Sequence, residues 1–324
     1  MPLDCEMRLS VWCEFLPYSE LIALLPELAL RKLWLNLAVQ AERRDSPALF
    51  ELLRAARSEG VPTRAWFLLD KADGYWPNAW NARIAADAAR RLLDAADRHG
   101  APLEWLIFDF EPPPDLMLQL ASHGRNRDWR RLIGALRRAR YENRRLDACS
   151  AYAELWKELT ASGVRLMTVT MPIVLDKAFG TRLADALGIG FCTALPVEEF
   201  ATMAYRPEFE RFAGPLTADV VRSYAATTMH LSGRWAGIAI GEIGSPGFPV
   251  PVPGYTDPSE LQADLASCRA AGIGSVSIFS LDGILEQGGL ARWLDAPQVA
   301  APRRDWRAAR LRLALAAASL LLPK

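Results

Sequence analysis

The chain has 324 residues, enough for one large core, and 51% hydrophobic content to fill it. Its 38 basic and 38 acidic side chains cancel, so overall charge argues against a nucleic-acid or anionic-membrane partner. The five cysteines, Cys5, Cys13, Cys149, Cys192 and Cys268, lack the paired spacing of a zinc site and read as reduced or buried thiols.

From the N-terminus, short apolar runs alternate with longer amphipathic stretches. Arg8–Phe15 reads as a strand and Ser19–Ala29 as a helix, followed by strand Lys32–Val39 and helix Pro47–Glu59. Strand Thr63–Asp70 precedes helix Ala79–His99, and strand Glu104–Glu111 precedes a helical pattern over Asp128–Ser162. Strand Arg165–Pro172 leads to helix Leu175–Leu187. The sixth strand is placed at Ala201–Arg206, although Phe191–Val197 is also strand-like, and helix Thr217–Leu231 follows. Strand Trp235–Gly244 with helix Pro258–Ala271, then strand Ser275–Asp282 with a helix near Gly289–Leu294, complete the series. Gly60, Gly100, Gly163, Gly233 and Gly272 sit just past predicted helices, as C-terminal caps do. Eight strands, each followed by a helix, predict an α/β fold of the (β/α)8 barrel type over residues 1–297. An open doubly wound sheet is disfavoured, because no strand is followed by a G-x-G-x-x-G turn.

Residues 298–324 are expected to form a C-terminal helical extension. Leu311–Leu322 is apolar apart from Arg312 and Ser319, but a membrane span needs about 18 apolar residues, so this helix is expected to dock on the barrel or on a partner. The arginine pairs at 130–131, 137–138 and 144–145 read as a solvated helix face. No basic segment followed by an apolar run opens the sequence, which makes a cytoplasmic location the default and export the alternative if a signal has been removed.

The segment Glu104-Trp-Leu-Ile-Phe-Asp-Phe-Glu111-Pro-Pro-Pro114 carries the strongest chemical signal. Alternation along a strand puts Ile107, Asp109 and Glu111 on one face and Phe108 and Phe110 on the other, and the prolines end the strand. Burying a carboxyl raises its pKa, and acid catalysis on sugars needs such an acid. In a barrel, chemistry gathers at the C-terminal strand ends, where this chain supplies Glu14, Asn36, Asp70, Asp109, Glu111, Tyr205, Glu242 and Asp282. Tyr75, Trp76 and Trp80 lie in the loop after the third strand and are candidates for stacking on sugar faces or for covering the barrel mouth. The stiff proline-rich loop Ser245–Tyr255 is placed to wall a cleft. His99, His123 and His230 form no close ligand pair, and no P-loop or G-x-S-x-G elbow occurs, so metal catalysis is disfavoured and no cofactor is expected, with calcium or magnesium on the rim carboxylates the open alternative because oxygen ligands need no strict spacing.

Three segments together resemble the family 18 glycoside hydrolases, the chitinase group. Asp109-x-Glu111 matches the end of that family's D-x-x-D-x-D-x-E strand, with Glu104 and Ile107 where the two earlier aspartates stand. Met203-Ala204-Tyr205 resembles its M-x-Y, followed here by Arg206 rather than aspartate, and Ile278-Phe279-Ser280-Leu281-Asp282 resembles its last strand, with Phe279 in place of tryptophan. The resemblance implies Glu111 as general acid, with Asp109 and Tyr205 orienting a substrate acetamido group that acts as internal nucleophile. The chain is also similar to the retaining glycosidases with catalytic glutamates on strands four and seven, through Glu111-Pro112 and Gly241-Glu242-Ile243-Gly244. That resemblance implies Glu242 as nucleophile and Glu111 as acid/base.

The sequence thus predicts a glycosidase acting on an oligo- or polysaccharide. Catalysis would fall to Glu111, Asp109, Glu242 and Tyr205, and substrate binding to Glu14, Asn36, Asp70, Tyr75, Trp76, Trp80, Phe279 and Asp282. The alternative is a carbohydrate-binding barrel without turnover, which the two missing aspartates favour.

Overall fold

The computed structural model describes residues 7–125, 128–142, 145–244 and 254–322. It is the (β/α)8 barrel expected: β1 Arg8–Cys13, β2 Trp34–Val39, β3 Thr63–Phe67, β4 Trp105–Phe110, β5 Arg165–Thr170, β6 Glu199–Met203, β7 Ala236–Gly241 and β8 Ser275–Phe279 close in chain order. The strands pair in parallel, with Trp12 opposite Asn36, Asp109 opposite Val169 and Gly241 opposite Phe279. Strands β4, β6, β7 and β8 are buried along their whole length, which explains their near-continuous apolar sequences.

The helices are α1 Tyr18–Leu30, α2 Pro47–Ser58, α3 Ala82–Arg98, α4 Pro114–Arg125, α5 Trp129–Glu142, α6 Arg145–Ala161, α7 Arg182–Ala186, α8 Arg206–Ala213, α9 Asp219–Ser232, α10 Pro258–Ala271, α11 Leu281–Glu286, α12 Gly289–Leu294 and α13 Trp306–Ala318. α10 and α12 match their predicted bounds. The pattern over Asp128–Ser162 holds α5 and α6, with residues 143–144 outside the described residues, and α4, α8 and α11 follow their strands where the sequence reading places no helix. The helix expected over Leu175–Leu187 shrinks to the five residues of α7. Pro172–Leu175 forms a 3-10 turn, and Gly180, at φ 103°, takes a backbone that ends any continuous helix there. Phe191–Val197 is not a strand; it contains the 3-10 turn Cys192–Ala194.

Contacts group the chain into two compact units, the first comprising 1–38, 46–65 and 199–309, and the second 39–45, 66–198 and 310–324. At the N-terminal strand ends of the first unit, the buried Glu199 at the start of β6 accepts hydrogen bonds from Arg8, from Arg64 Nη2 at 2.7 Å and from Ser275 Oγ at 2.7 Å. The Trp34 ring meets both guanidiniums, its centroid 4.6 Å from Arg8 and 4.7 Å from Arg64. Gly237 makes room for this carboxylate, because a Cβ there would lie 2.7 Å from Glu199 Oε1. One layer further along the strands, Ser10, Asn36 and Ser277 join side chain to side chain.

In the second unit an aromatic cluster seats α6 on the sheet. Phe108 meets Phe67 at 4.9 Å and Trp156 at 4.4 Å between ring centroids, and Phe110 meets Tyr152 and Phe191 at 5.0 Å each. The end of the chain docks here as expected, through Arg312 to Asp176 at 2.8 Å and Arg182 to the carbonyls of Ser319 and Leu322. Among the described residues no helix is long and apolar enough to cross a membrane.

Replacing Arg64 by Met keeps the side-chain volume but removes a guanidinium partner of the Glu199 carboxylate. The variant is expected to lose about 3–5 kcal/mol of stability, the usual cost of breaking a buried pair, as read from denaturant unfolding.

Candidate active site

The face of β4 opposite the aromatic cluster carries Ile107, Asp109 and Glu111. Since Phe108 and Phe110 are committed to Tyr152 and Trp156 of α6, alternation turns the two carboxylates away from the helix layer. Asp109 is 4% exposed and Glu111 is half-buried.

The loop after β3 is tied to this strand end by two asparagines. Asn78 Nδ2 donates to the Glu111 carbonyl at 3.2 Å and to the Trp76 carbonyl at 3.0 Å, while the Glu111 N–H donates to the Pro77 carbonyl at 3.2 Å. Asn81 accepts from the Asn78 N–H at 2.8 Å and donates to the carbonyls of Asp73 and Trp76. Tyr152 closes the arrangement by donating to the Asn78 carbonyl at 3.2 Å. Tyr75 and Trp76 stand edge to face on this loop, 5.0 Å apart and both half-buried. Trp80 instead packs on the backbone of Gly188, where a Cβ would come within 2.1 Å of its ring. Asp70, one residue before the 3-10 turn Lys71–Asp73, is exposed. Asn78 and Asn81 escape a sequence reading because asparagine in a loop signals only a turn.

The other predicted residues lie in the first unit. The Asp282 carboxylate, 3% exposed, accepts the backbone N–H groups of Glu14, Phe15 and Leu16 at 2.9–3.0 Å, so it fastens the chain leaving β1 to the end of β8. Burial, and then the Asp282 charge, push the neighbouring Cys13 thiol up. Glu14 is half-buried on that loop. Asn36 is fully enclosed, its amide donating to Ser10 Oγ at 3.2 Å and Ser277 Oγ at 3.3 Å. Tyr205 and Phe279 are brought together, their ring centroids 5.7 Å apart.

Arg206, which stands where the chitinase pattern has aspartate, is buried against α10. It donates to Asp264 Oδ1 at 3.2 Å and lies 4.9 Å over the ring of Tyr255, whose hydroxyl bonds the same carboxylate. Burial raises the Asp264 carboxyl to about 6. This network fixes the first turn of α8 and with it Glu208 and Arg211, which the sequence reading did not single out. Glu242, the residue after β7, is 1% exposed, and its Oε2 is buried without a hydrogen-bond partner. The segment 245–253 of the proline-rich loop lies outside the described residues, as does Cys5. Among the described residues no group of three His, Cys, Asp or Glu side chains is arranged to hold a metal ion.

No protein-family model and no curated protein matches this chain. Solved structures do match. A GH18 chitinase from Pseudoalteromonas aurantia aligns with a TM-score of 0.52 at 10% identity, over 89% of this chain and 98% of that one. The PgaB (BpsB) glycoside hydrolase domain from Bordetella bronchiseptica aligns with a TM-score of 0.52 at 12% identity, over 87% and 96%. The exo-beta-1,4-mannosidase Op5Man5 from Opitutaceae bacterium strain TAV5 gives 0.50 at 13%, over 97% and 60%. Aldolases, lyases and an epimerase also match, at lower scores. At these identities the likeness is one of fold.

Asn78→Ala should cost about 1–3 kcal/mol, the penalty of leaving buried groups unpaired. Hydrogen exchange should show its local signature as faster exchange at the amides of Trp80 and Glu111; loss of stability without that local change would contradict the tie described above.

Proposed function

We propose that the chain is a glycoside hydrolase-like enzyme that cleaves or transfers glycosidic bonds of an oligo- or polysaccharide, with Glu111 as general acid. The observation that carries this reading is the Asp109/Glu111 pair on the face of β4 turned from the helices, with the Tyr75–Trp76 loop hydrogen-bonded to the backbone of Glu111 itself. An acid beside an aromatic platform suits a sugar, whose C–H face stacks on a ring while its glycosidic oxygen takes a proton. The glycoside hydrolases among the structures sharing this barrel are consistent with it.

In the substrate-assisted form of the mechanism, Asp109 orients a substrate acetamido group that attacks the anomeric carbon, and Tyr205 hydrogen-bonds the same group. In the two-carboxylate form, Glu242 attacks and Glu111 serves first as acid and then as base. Phe279, Trp80, Glu14, Asn36, Asp70 and Asp282 are assigned to contacting substrate or to holding the residues that do. A second reading, a sugar-binding barrel without turnover, is favoured by one observation: Ile107, fully buried, puts a hydrocarbon before Asp109 on the acidic face where the chitinase pattern has an acid.

Turnover of chromogenic glycosides and oligosaccharides, with and without the acetamido group, tests both readings. Wild type should cleave, and Glu111→Gln should lower kcat by at least about 100-fold, within the usual range for a general acid, while leaving ligand affinity in place. Substrates lacking the acetamido group should be inert under the first mechanism, whereas under the second Glu242→Gln should be as damaging as Glu111→Gln. Binding without turnover across the panel would favour the sugar-binding barrel.

A further inference from the structure

Glu242 sits one residue past the last pairing of β7 with β8, almost wholly out of solvent. Its Oε2 receives no hydrogen bond, and its carbonyl is capped by the Tyr255 N–H at 2.6 Å. α8 packs against β7, and among the described residues Glu208 and Arg211, one turn apart on α8, are the charges that act on this carboxyl. The charges nearest on α10 are already engaged: Asp264 holds Arg206 and Tyr255, and Glu260 caps its own helix. β6, β8 and α9 add none to this group.

An ionised carboxylate here would keep one oxygen dry and without a donor, which is costly. It would also face a second carboxylate. The one opposing cation, Arg211, is exposed and lines an open cleft of about 410 Å³ with Glu210, Tyr255 and Glu260, so water weakens its pull.

We propose that Glu242, dry and without a donor at one oxygen, keeps its proton at neutral pH beside an ionised Glu208, so that it meets a ligand as a hydrogen-bond donor and not as a nucleophile. Burial, and then the charge of Glu208, lift the Glu242 carboxyl to about 8, with Arg211 drawing it back down. Burial lifts Glu208 to about 7. Glu242 is the more deeply buried of the two and Glu208 is only half-buried, so Glu208 ionises first and its charge holds the remaining proton on Glu242. The inference rests on the glycosidase reading for its consequence, which is to favour the substrate-assisted form: a protonated carboxyl does not attack an anomeric carbon.

The test is a pH titration of the full chain with glutamate labelled at the carboxyl carbon, followed by carbon NMR without substrate. A resonance that disappears in Glu242→Gln should titrate near pH 8. Glu208→Gln should lower that midpoint by at least about one unit, a tenfold change in the ionisation constant, and Arg211→Gln should raise it. Opposite displacements from two neighbouring substitutions are not produced by a general loss of folding. Wild type alone decides the matter if a variant does not fold: no glutamate keeping its proton above about pH 6 would overturn the pair, given an ordinary value near 4.3. An unmoved midpoint in Glu208→Gln would overturn it as well.

Stability gives a second measurement. A carboxyl whose folded value lies above its unfolded one contributes its stability in full below about pH 4.3 and loses it as pH rises toward the folded value, here about 8. Between about pH 5 and pH 8 wild type should lose more stability than Glu242→Gln, and equal losses would count against the pair. Neither measurement needs turnover. A chain that titrates as described but acts on no glycoside would sink the enzyme reading and leave the pair standing.

Discussion

The buried Glu199 carboxylate is the constraint on which much of the first unit depends. A charge removed from water has to be met by donors, and these come from the first residues of β1 and β8 and from the second of β3. Four strands far apart in sequence are thereby brought to one level at their starts, and Trp34 of a fifth packs on both arginines. With that level fixed, the strand lengths determine where their other ends stand, and the opposite ends are where the candidate chemistry is found.

β6 links the two situations. It begins with an acid supplied with two guanidiniums and runs into α8, which packs against β7 and carries Glu208 and the exposed Arg211. Buried acids thus occur in this unit with ample partners and with too few. The Arg206–Asp264–Tyr255 network supports the second arrangement, because it anchors the start of α8 in a fixed place against α10. An arginine where the chitinase pattern has an aspartate is therefore a packing residue here, and it takes a role that the motif comparison does not supply.

Much of the architecture was legible in the sequence. The eight strands were found because a parallel barrel strand is apolar along its length and short, and α10 was found to the residue with Gly272 read as its cap, to which the structure adds the Asp257–Glu260 capping box. What was missed has physical reasons. α4 begins at Pro114, where a run of prolines suggested only a stop, and the helix read over Leu175–Leu187 is too long because Gly180 interrupts it. The facing of Asp109 and Glu111 away from Phe108 and Phe110 follows from alternation alone. Asn78, Asn81, Glu208 and Arg211 were not legible, since each acquires its meaning from a neighbour that only folding supplies: a carbonyl on another strand, or a carboxyl on β7.

The division of β4 into an aromatic and an acidic face also bears on how the chain reaches this fold. A parallel strand can pair with its neighbour one residue out of place at little cost to its backbone bonds, and such a slip exchanges its two faces. In β4 that error would push Asp109 and Glu111 among Phe67, Tyr152 and Trp156 while turning two phenylalanines out of the cluster. The misaligned barrel would bury two acids in hydrocarbon. The same two carboxylates proposed to act on a ligand thus serve as proofreaders of assembly, and the chain could not exchange them for apolar residues without also loosening the rule that sets its alignment.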